Sequence, residues 1–202
     1  MKTLLRALPA LATLALAAPA TAQQAAPSHP RLGLGVSLNT TTLGLTSPAN
    51  TTAFVRPKFY VPFYVAPNIR LEPEIGWLSA TDDNTSTTNS AFDLGIGALF
   101  AKPVSPVVDL YAGARLAAIW TQTEQDVGGG VIQRVRQRNI SFAPVLGGEY
   151  KPSPWFSVGV EAQLEFIFLG DEDVNTGGVA TTGRGGSAKG LEGLVFVRVY
   201  FI

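Results

Sequence analysis

The 202-residue chain contains no cysteine. That excludes a disulfide scaffold, a thiolate metal centre and an anchor built on a lipidated cysteine, and it suits export through an oxidising compartment. Histidine is almost as scarce. His29, the single one, stands beside a proline in the polar stretch QQAAPSHP, where it reads as solvated. A Ser/His/Asp site needs a histidine near its nucleophile, and no Gly-x-Ser-x-Gly elbow is present, so no enzyme is expected. Charge is sparse too, at 15% Asp, Glu, Lys and Arg, against roughly 25–35% on an ordinary soluble surface. Long apolar runs are missing beyond residue 22, and a spanning helix needs roughly 20 such residues. If the mature chain crosses a membrane it must do so as a closed barrel, the other structure that satisfies its backbone in lipid.

Residues 1–22, MKTLLRALPALATLALAAPATA, place Lys2 and Arg6 before an apolar run over 7–18 and end on Ala20-Thr21-Ala22. A basic start, a short apolar stretch and a small-x-small site read as a secretory signal cut after Ala22. Residues 23–30 then form a linker on the periplasmic side, and residues 31–202 one domain. Removing Lys2 and Arg6 leaves 13 basic against 15 acidic residues, without the basic footprint of a nucleic-acid binder.

What the chain does have is alternation. In residues 54–79, FVRPKFYVPFYV-APN-IRLEPEIGWLS, Phe59, Val61, Phe63 and Val65 share a face opposite Arg56, Lys58, Tyr60 and Tyr64. After Ala66-Pro67-Asn68, Ile69, Leu71, Ile75 and Trp77 oppose Arg70, Glu72 and Glu74. Strict period two marks strands with a different solvent on each face. Further strands follow over 31–39, 91–101, 107–122, 135–150, 156–168 and 191–202, giving eight. Their polar faces carry Asp93, Asp109, Arg115, Glu161, Glu165 and Arg198. The pattern over 135–150 slips, and a bulge near Gly147 and Gly148 is expected there.

Connections alternate as well. APN, KPVSP and KPSP are short, whereas 40–52, 80–90, 126–130 and 170–190 are longer, polar and expected to be loops. Short turns on one side and longer ones on the other characterise an outer-membrane barrel. Aromatics gather at both ends: Phe54, Trp77, Phe92, Trp120, Phe166 and Phe168 at the outer, and Phe63, Tyr64, Phe100, Tyr150, Trp155, Phe156, Tyr200 and Phe201 at the periplasmic. Two girdles separated by roughly 25 Å match the bilayer interfaces. The expected fold is all-β, an eight-stranded antiparallel up-and-down transmembrane β-barrel.

On strand count, turn alternation and the last strand VFVRVYFI, residues 31–202 resemble the small eight-stranded outer-membrane barrels, the OmpA/OmpX/OmpW-like type and the outer membrane protein β-barrel domain group. The resemblance implies a Gram-negative outer membrane, contact with its lipid, and assembly by the barrel-assembly machinery reading a terminal aromatic. Here Phe201 is penultimate and Ile202 last.

Chemistry is not the expected use of the inward charges Arg56, Lys58, Arg70, Glu72, Glu74, Asp93, Asp109, Arg115, Glu161, Glu165 and Arg198. Neighbouring carboxylates such as Glu72 and Glu74 are forced together by strand geometry, so an acid/base pair is less favoured than an ionic network filling a narrow barrel. Residues 183–190, GRGGSAKG, lack the Gly-Lys-Ser/Thr core of a phosphate loop. Asp171-Glu172-Asp173 and Asp82-Asp83-Asn84 lack calcium-loop spacing. No cofactor and no metal are expected. The functional expectation is a plugged barrel with a structural or surface-loop role. The alternatives are a narrow channel for ions or small solutes, and a secreted lipocalin-like binding barrel with its apolar face inward.

Overall fold

In the computed structural model, residues 32–44 and 57–201 are described, with side chains from 32–38 and 57–201. Phe54, Arg56, His29, the expected signal and linker, residues 45–52 of the first loop, and Ile202 lie outside that range. Ten strand segments follow in order: β1 (Leu32–Gly44), β2 (Pro57–Tyr60), β3 (Phe63–Ala66), β4 (Ile69–Asp82), β5 (Thr87–Ser105), β6 (Val108–Asp126), β7 (Ile132–Ser153), β8 (Phe156–Thr176), β9 (Val179–Gly183) and β10 (Gly186–Phe201). β2 and β3 are one strand interrupted at Val61 and Pro62, and β9 and β10 are one strand interrupted at Arg184 and Gly185. Each neighbour pairs antiparallel, and β10 pairs with both β1 and β8, closing a ring of eight.

Prolines explain the break between β2 and β3. Pro62 has no N–H to give, but its carbonyl accepts from Gly33 N at 2.9 Å, and Val61 N reaches the Pro73 carbonyl at 3.0 Å. The wall therefore stays hydrogen-bonded across the interruption.

The partition of side chains is inside out. Leu34, Ile75, Leu94, Leu116, Leu146 and Val160 stand on the outer surface, whereas Arg70, Glu72, Asp93, Asp109, Glu149 and Arg198 are buried. A water-soluble barrel would expose an apolar surface this extensive only at a binding site or as an aggregation hazard. In lipid that exterior is in its matching solvent. The lipocalin-like alternative fails on this point, because its apolar face would have to line the interior.

Inside, large rings rest on glycines of the adjoining strand. Gly35 faces Tyr60, Gly147 faces Tyr111, and Gly159 faces Phe196. A Cβ on Gly147 would lie 2.3 Å from Tyr111 Cζ, and one on Gly35 2.2 Å from a Tyr60 ring carbon. A narrow barrel has space for such a ring only where its neighbour has no side chain.

Several expectations are corrected. No bulge occurs at Gly147 and Gly148: β6 and β7 stay in register from Val108 with Tyr150 to Asp126 with Ile132. The irregularities of β7 lie instead in its pairing with β8, near Gln137 and near Tyr150. Residues 80–90 are not a loop but two strand ends joined over 83–86. Residues 170–190 are a hairpin, whose turn residues Gly177 and Gly178 have φ of 57° and 91°. Positive φ at both central positions defines the turn type that matches strand twist. The periplasmic turns KPVSP and KPSP shrink to two residues each, Pro106 and Val107, and Pro154 and Trp155.

Candidate functional site

Among the described residues, the buried titratable groups gather in the lumen. Alternation turns the even residues of β2, β4 and β10 inward with the odd residues of β6, β7 and the first part of β8, so that eight charged side chains meet in one cluster. Four are cations, Lys58, Arg70, Arg115 and Arg198, and four are carboxylates, Glu72, Glu74, Glu149 and Glu161.

Arg115 on β6 is the hub of one half. It reaches Glu72 at 2.6 Å, Glu74 at 2.8 Å and Glu161 at 2.8 Å. Glu161 is held further by Tyr111 Oη at 2.9 Å and by Gln163 Nε2, and Lys58 donates to Glu74 at 3.1 Å. Glu149 on β7 is the hub of the other half. Its Oε2 accepts from Arg70 at 2.6 Å and from Arg198, while its Oε1 accepts from Ser157 and from the Tyr200 hydroxyl, both at 2.5 Å. Glu72 joins the halves, meeting Arg70 at 2.8 Å and Arg198 at 2.7 Å as well as Arg115.

Aromatic faces complete the packing. The Arg198 guanidinium lies 3.9 Å from the Phe196 ring centre and 5.0 Å from that of Tyr60, and Arg70 lies 4.8 Å from that of Tyr111. Guanidinium is planar and weakly hydrated, so it tolerates a dry, stacked setting that an ammonium does not. Charges removed from water must be paired and hydrogen-bonded, and this cluster balances four against four. The void between Lys58, Tyr60, Glu74, Arg115, Glu161 and Phe196 is about 10 Å³, at most room for one water.

The other expected lumen residues also face inward. Asp93 is fully buried against Gly76, and Asp109 is buried with Lys151 at 2.7 Å. Glu165 stands in the wall beyond Gln163, nearly buried. Reading the sequence missed Glu149, because the supposed bulge disguised its face; strict alternation from Ser141 through Val145 would have found it.

Two tyrosines of the expected girdles are corrected. Tyr200 is not at the membrane interface: it is 3% exposed, points into the lumen and donates to Glu149. Tyr64 likewise turns toward Arg70, whose Nη1 donates to its hydroxyl at 3.4 Å. Trp77, Phe92, Trp120 and Phe168 face outward at the outer end, with Phe166 half-buried beneath Lys189. Phe100, Tyr150, Trp155 and Phe201 face outward at the periplasmic end, and Phe63 and Phe156 are half-buried there. From Phe92 to Phe100 the eight residue steps of β5 span roughly 27 Å along the strand, or about 20 Å of membrane depth at a tilt near 40°.

Among the described residues no group of three or more His, Cys, Asp or Glu side chains could hold a metal ion. Within the cluster, Glu72, Glu74, Glu149 and Glu161 accept from arginine, lysine, amide and hydroxyl groups.

The chain is similar to solved structures of small membrane barrels. Neisserial surface protein A aligns at 15% identity and a TM-score of 0.52, over 84% of this chain and 96% of that one. Ail, the attachment invasion locus protein of Yersinia pestis, aligns at 10% identity and a TM-score of 0.47, over 84% and 95%. The amino-terminal β-barrel domain of Pseudomonas aeruginosa OprF aligns at 9% identity and a TM-score of 0.43, over 86% and 98%. No curated protein matches in sequence. The model of the family described as outer membrane protein beta-barrel domain matches residues 8–184, and the chain, a transmembrane barrel of the Gram-negative outer membrane, belongs to that family.

Proposed function

We propose that this protein is a plugged barrel that serves the outer membrane as a structural element and presents its outer strands to the surroundings, without conducting solutes. The carrying observation is the neutral, cross-linked cluster of Lys58, Arg70, Arg115 and Arg198 with Glu72, Glu74, Glu149 and Glu161, which fills the section of the lumen it occupies. An ion passing that section would have to displace arginine–carboxylate pairs that are cut off from water.

A second observation supports the surface role. β5, β6, β7 and β8 continue well past the outer aromatics. From Trp120 to Asp126 alone the excess is roughly 20 Å of strand. The projecting stretches carry Thr, Asn, Gln, Arg and Glu rather than an apolar face, which suits display in water. Export is proposed to follow cleavage after Ala22, with insertion by the barrel-assembly machinery.

The test is conductance of the purified, folded protein in a planar bilayer. A silent membrane with protease-resistant insertion is the expected result. Reproducible discrete steps abolished by Arg115→Ala or Glu161→Ala would instead make the lumen charges the filter of a narrow channel and end the plugged reading.

A further inference from the structure

The outward face of β7 turns from apolar to basic as the strand leaves the membrane: Phe142 and Ile140 are followed on that face by Arg138, Arg136 and Arg134. The Arg138 guanidinium sits 5.5 Å from the ring centre of its cross-strand neighbour Trp120, which packs on Phe92 at 5.6 Å between ring centres. Among the described residues the other cation on an outward-facing ring is Lys189, 5.7 Å from the Phe166 centre, and it too belongs to the outer end. Arg136 gives its Nε to Gln122 at 2.9 Å. Among the described residues the ion pair of this face is Arg134 with Glu124, at 2.6 Å, and Arg136 and Arg138 have none.

A cleft of about 480 Å³ opens beside these arginines, and its lining includes Trp77, Trp120, Arg136, Arg138, Asp171 and Asp173. A second, of about 320 Å³, lies further out on β7, β8 and β9, and Arg136 and Asp173 border both. Together they form a groove that begins on the girdle and rises along the projecting strands. Its character changes along its length, from indole rings to guanidiniums and carboxylates and then to Asn175, Thr181 and Thr182. Asp171 spends one oxygen on Gly185 N at 3.1 Å, and Asp173 stands opposite Arg136 in the strand register without forming an ion pair with it.

Indole rings at the membrane interface lie at the level where acyl chains meet their headgroup. Two guanidiniums without a carboxylate partner suit phosphate oxygens, which match the fork of each. The two aspartates repel a headgroup that offers phosphate alone, but they are acceptors for one that also carries hydroxyls. A small headgroup would end in the first cleft and leave the amide and hydroxyl groups of the second unanswered. We propose that the groove seats an outer-leaflet glycolipid by its phosphorylated sugar headgroup. Arg136 and Arg138 hold the phosphate, and Asp171 and Asp173 accept from sugar hydroxyls. The saccharide continues outward past Asn175, Thr181 and Thr182, while the first methylenes of the acyl chains rest on Trp77 and Trp120. The site is independent of whether the lumen conducts.

Native mass spectrometry of the protein refolded in detergent tests this with three probes. They are lipid A carrying both phosphates on its glucosamine pair, lipid A stripped of those phosphates, and cardiolipin, which has two phosphates and several acyl chains but no sugar. The expected result is retention of intact lipid A at about tenfold lower concentration than either of the others, the size of one hydrogen bond to a charged group. Arg136→Ala/Arg138→Ala should bind intact lipid A no better than the stripped form. Asp171→Asn/Asp173→Asn should retain cardiolipin more strongly and narrow its distance from lipid A, because the repulsion of a bare phosphate is gone. Arg134→Ala should change nothing. The gel mobility of the folded barrel establishes that each variant is folded before it is compared. Equal retention of intact lipid A and cardiolipin by the wild-type chain, a comparison that needs no substitution, overturns the proposal. Unaltered retention of lipid A after the arginine substitutions overturns it as well.

Discussion

Glu149→Gln is the sharpest probe of the lumen. The carboxylate is buried and accepts from Arg70, Arg198, Ser157 and Tyr200. Glutamine has the same shape but no charge, and one of its terminal atoms only donates. That atom can turn toward Ser157 and Tyr200, whose oxygens accept, so the hydrogen-bond geometry survives in outline. The charge balance does not. The cluster goes from four against four to four cations against three carboxylates, with Arg70 and Arg198 short of a counter-charge in a site closed to water. Removing one partner of a buried pair costs about 3–5 kcal/mol. The lower end applies here because Glu72 still contacts both arginines. A loss of about 3 kcal/mol is a factor of roughly 150 in the folding equilibrium. At a urea slope near 2 kcal/mol per molar it moves the midpoint down by about 1.5 M. The assay is equilibrium urea unfolding in lipid vesicles, followed by tryptophan fluorescence and by the gel mobility of the folded barrel. Glu149→Gln/Arg198→Met restores the balance and should recover at least half of the loss. A midpoint shift under about 0.3 M for the single variant, or a double variant worse than the sum of both singles, would refute the account of the lumen as a charge-balanced plug.

Other expectations follow from the same geometry. Gly147→Ala sets a methyl 2.3 Å from the Tyr111 ring, and overpacking of this kind should cost about 1–3 kcal/mol in the same unfolding assay, with Tyr111→Leu in the same chain relieving part of it. All three tryptophans, Trp77, Trp120 and Trp155, face outward near the barrel ends. Lipids brominated near the headgroup should therefore quench their fluorescence more than lipids brominated at the chain ends, and the opposite order would contradict the placement of the girdles. Replacing Gly177 and Gly178 together by alanine removes a turn built on positive φ; amide exchange should speed up across the β8–β9 hairpin while β5 and β6 stay protected. Amino-terminal sequencing of the exported protein should begin at Gln23, and a start at Met1 would discard the signal.

The membrane-spanning strands were legible in the sequence because two solvents, lipid outside and a charged lumen inside, impose opposite demands on successive residues. Val158, Val160 and Leu164 could alternate with Ser157, Glu161 and Gln163 for no simpler reason. Beyond the membrane that pressure ends. Residues 80–90 and 170–190 are strand ends and a hairpin, yet they read as loops because both of their faces meet water and no apolar stripe is required. Tyr200 was ambiguous for a related reason: an aromatic at a strand end suits either a membrane interface or a hydroxyl partner inside, and only the position of Glu149 decides between them. Local alternation by itself determined which membrane-spanning side chains share a face. It could not determine which side chains meet. Arg70 and Glu149 are 79 residues apart, and they pair because ring closure and strand register bring their strands' inward faces to the same depth. The tertiary structure alone decided that the scattered charges form one neutral, close-packed cluster, since charge balance belongs to a shared volume and not to any one strand.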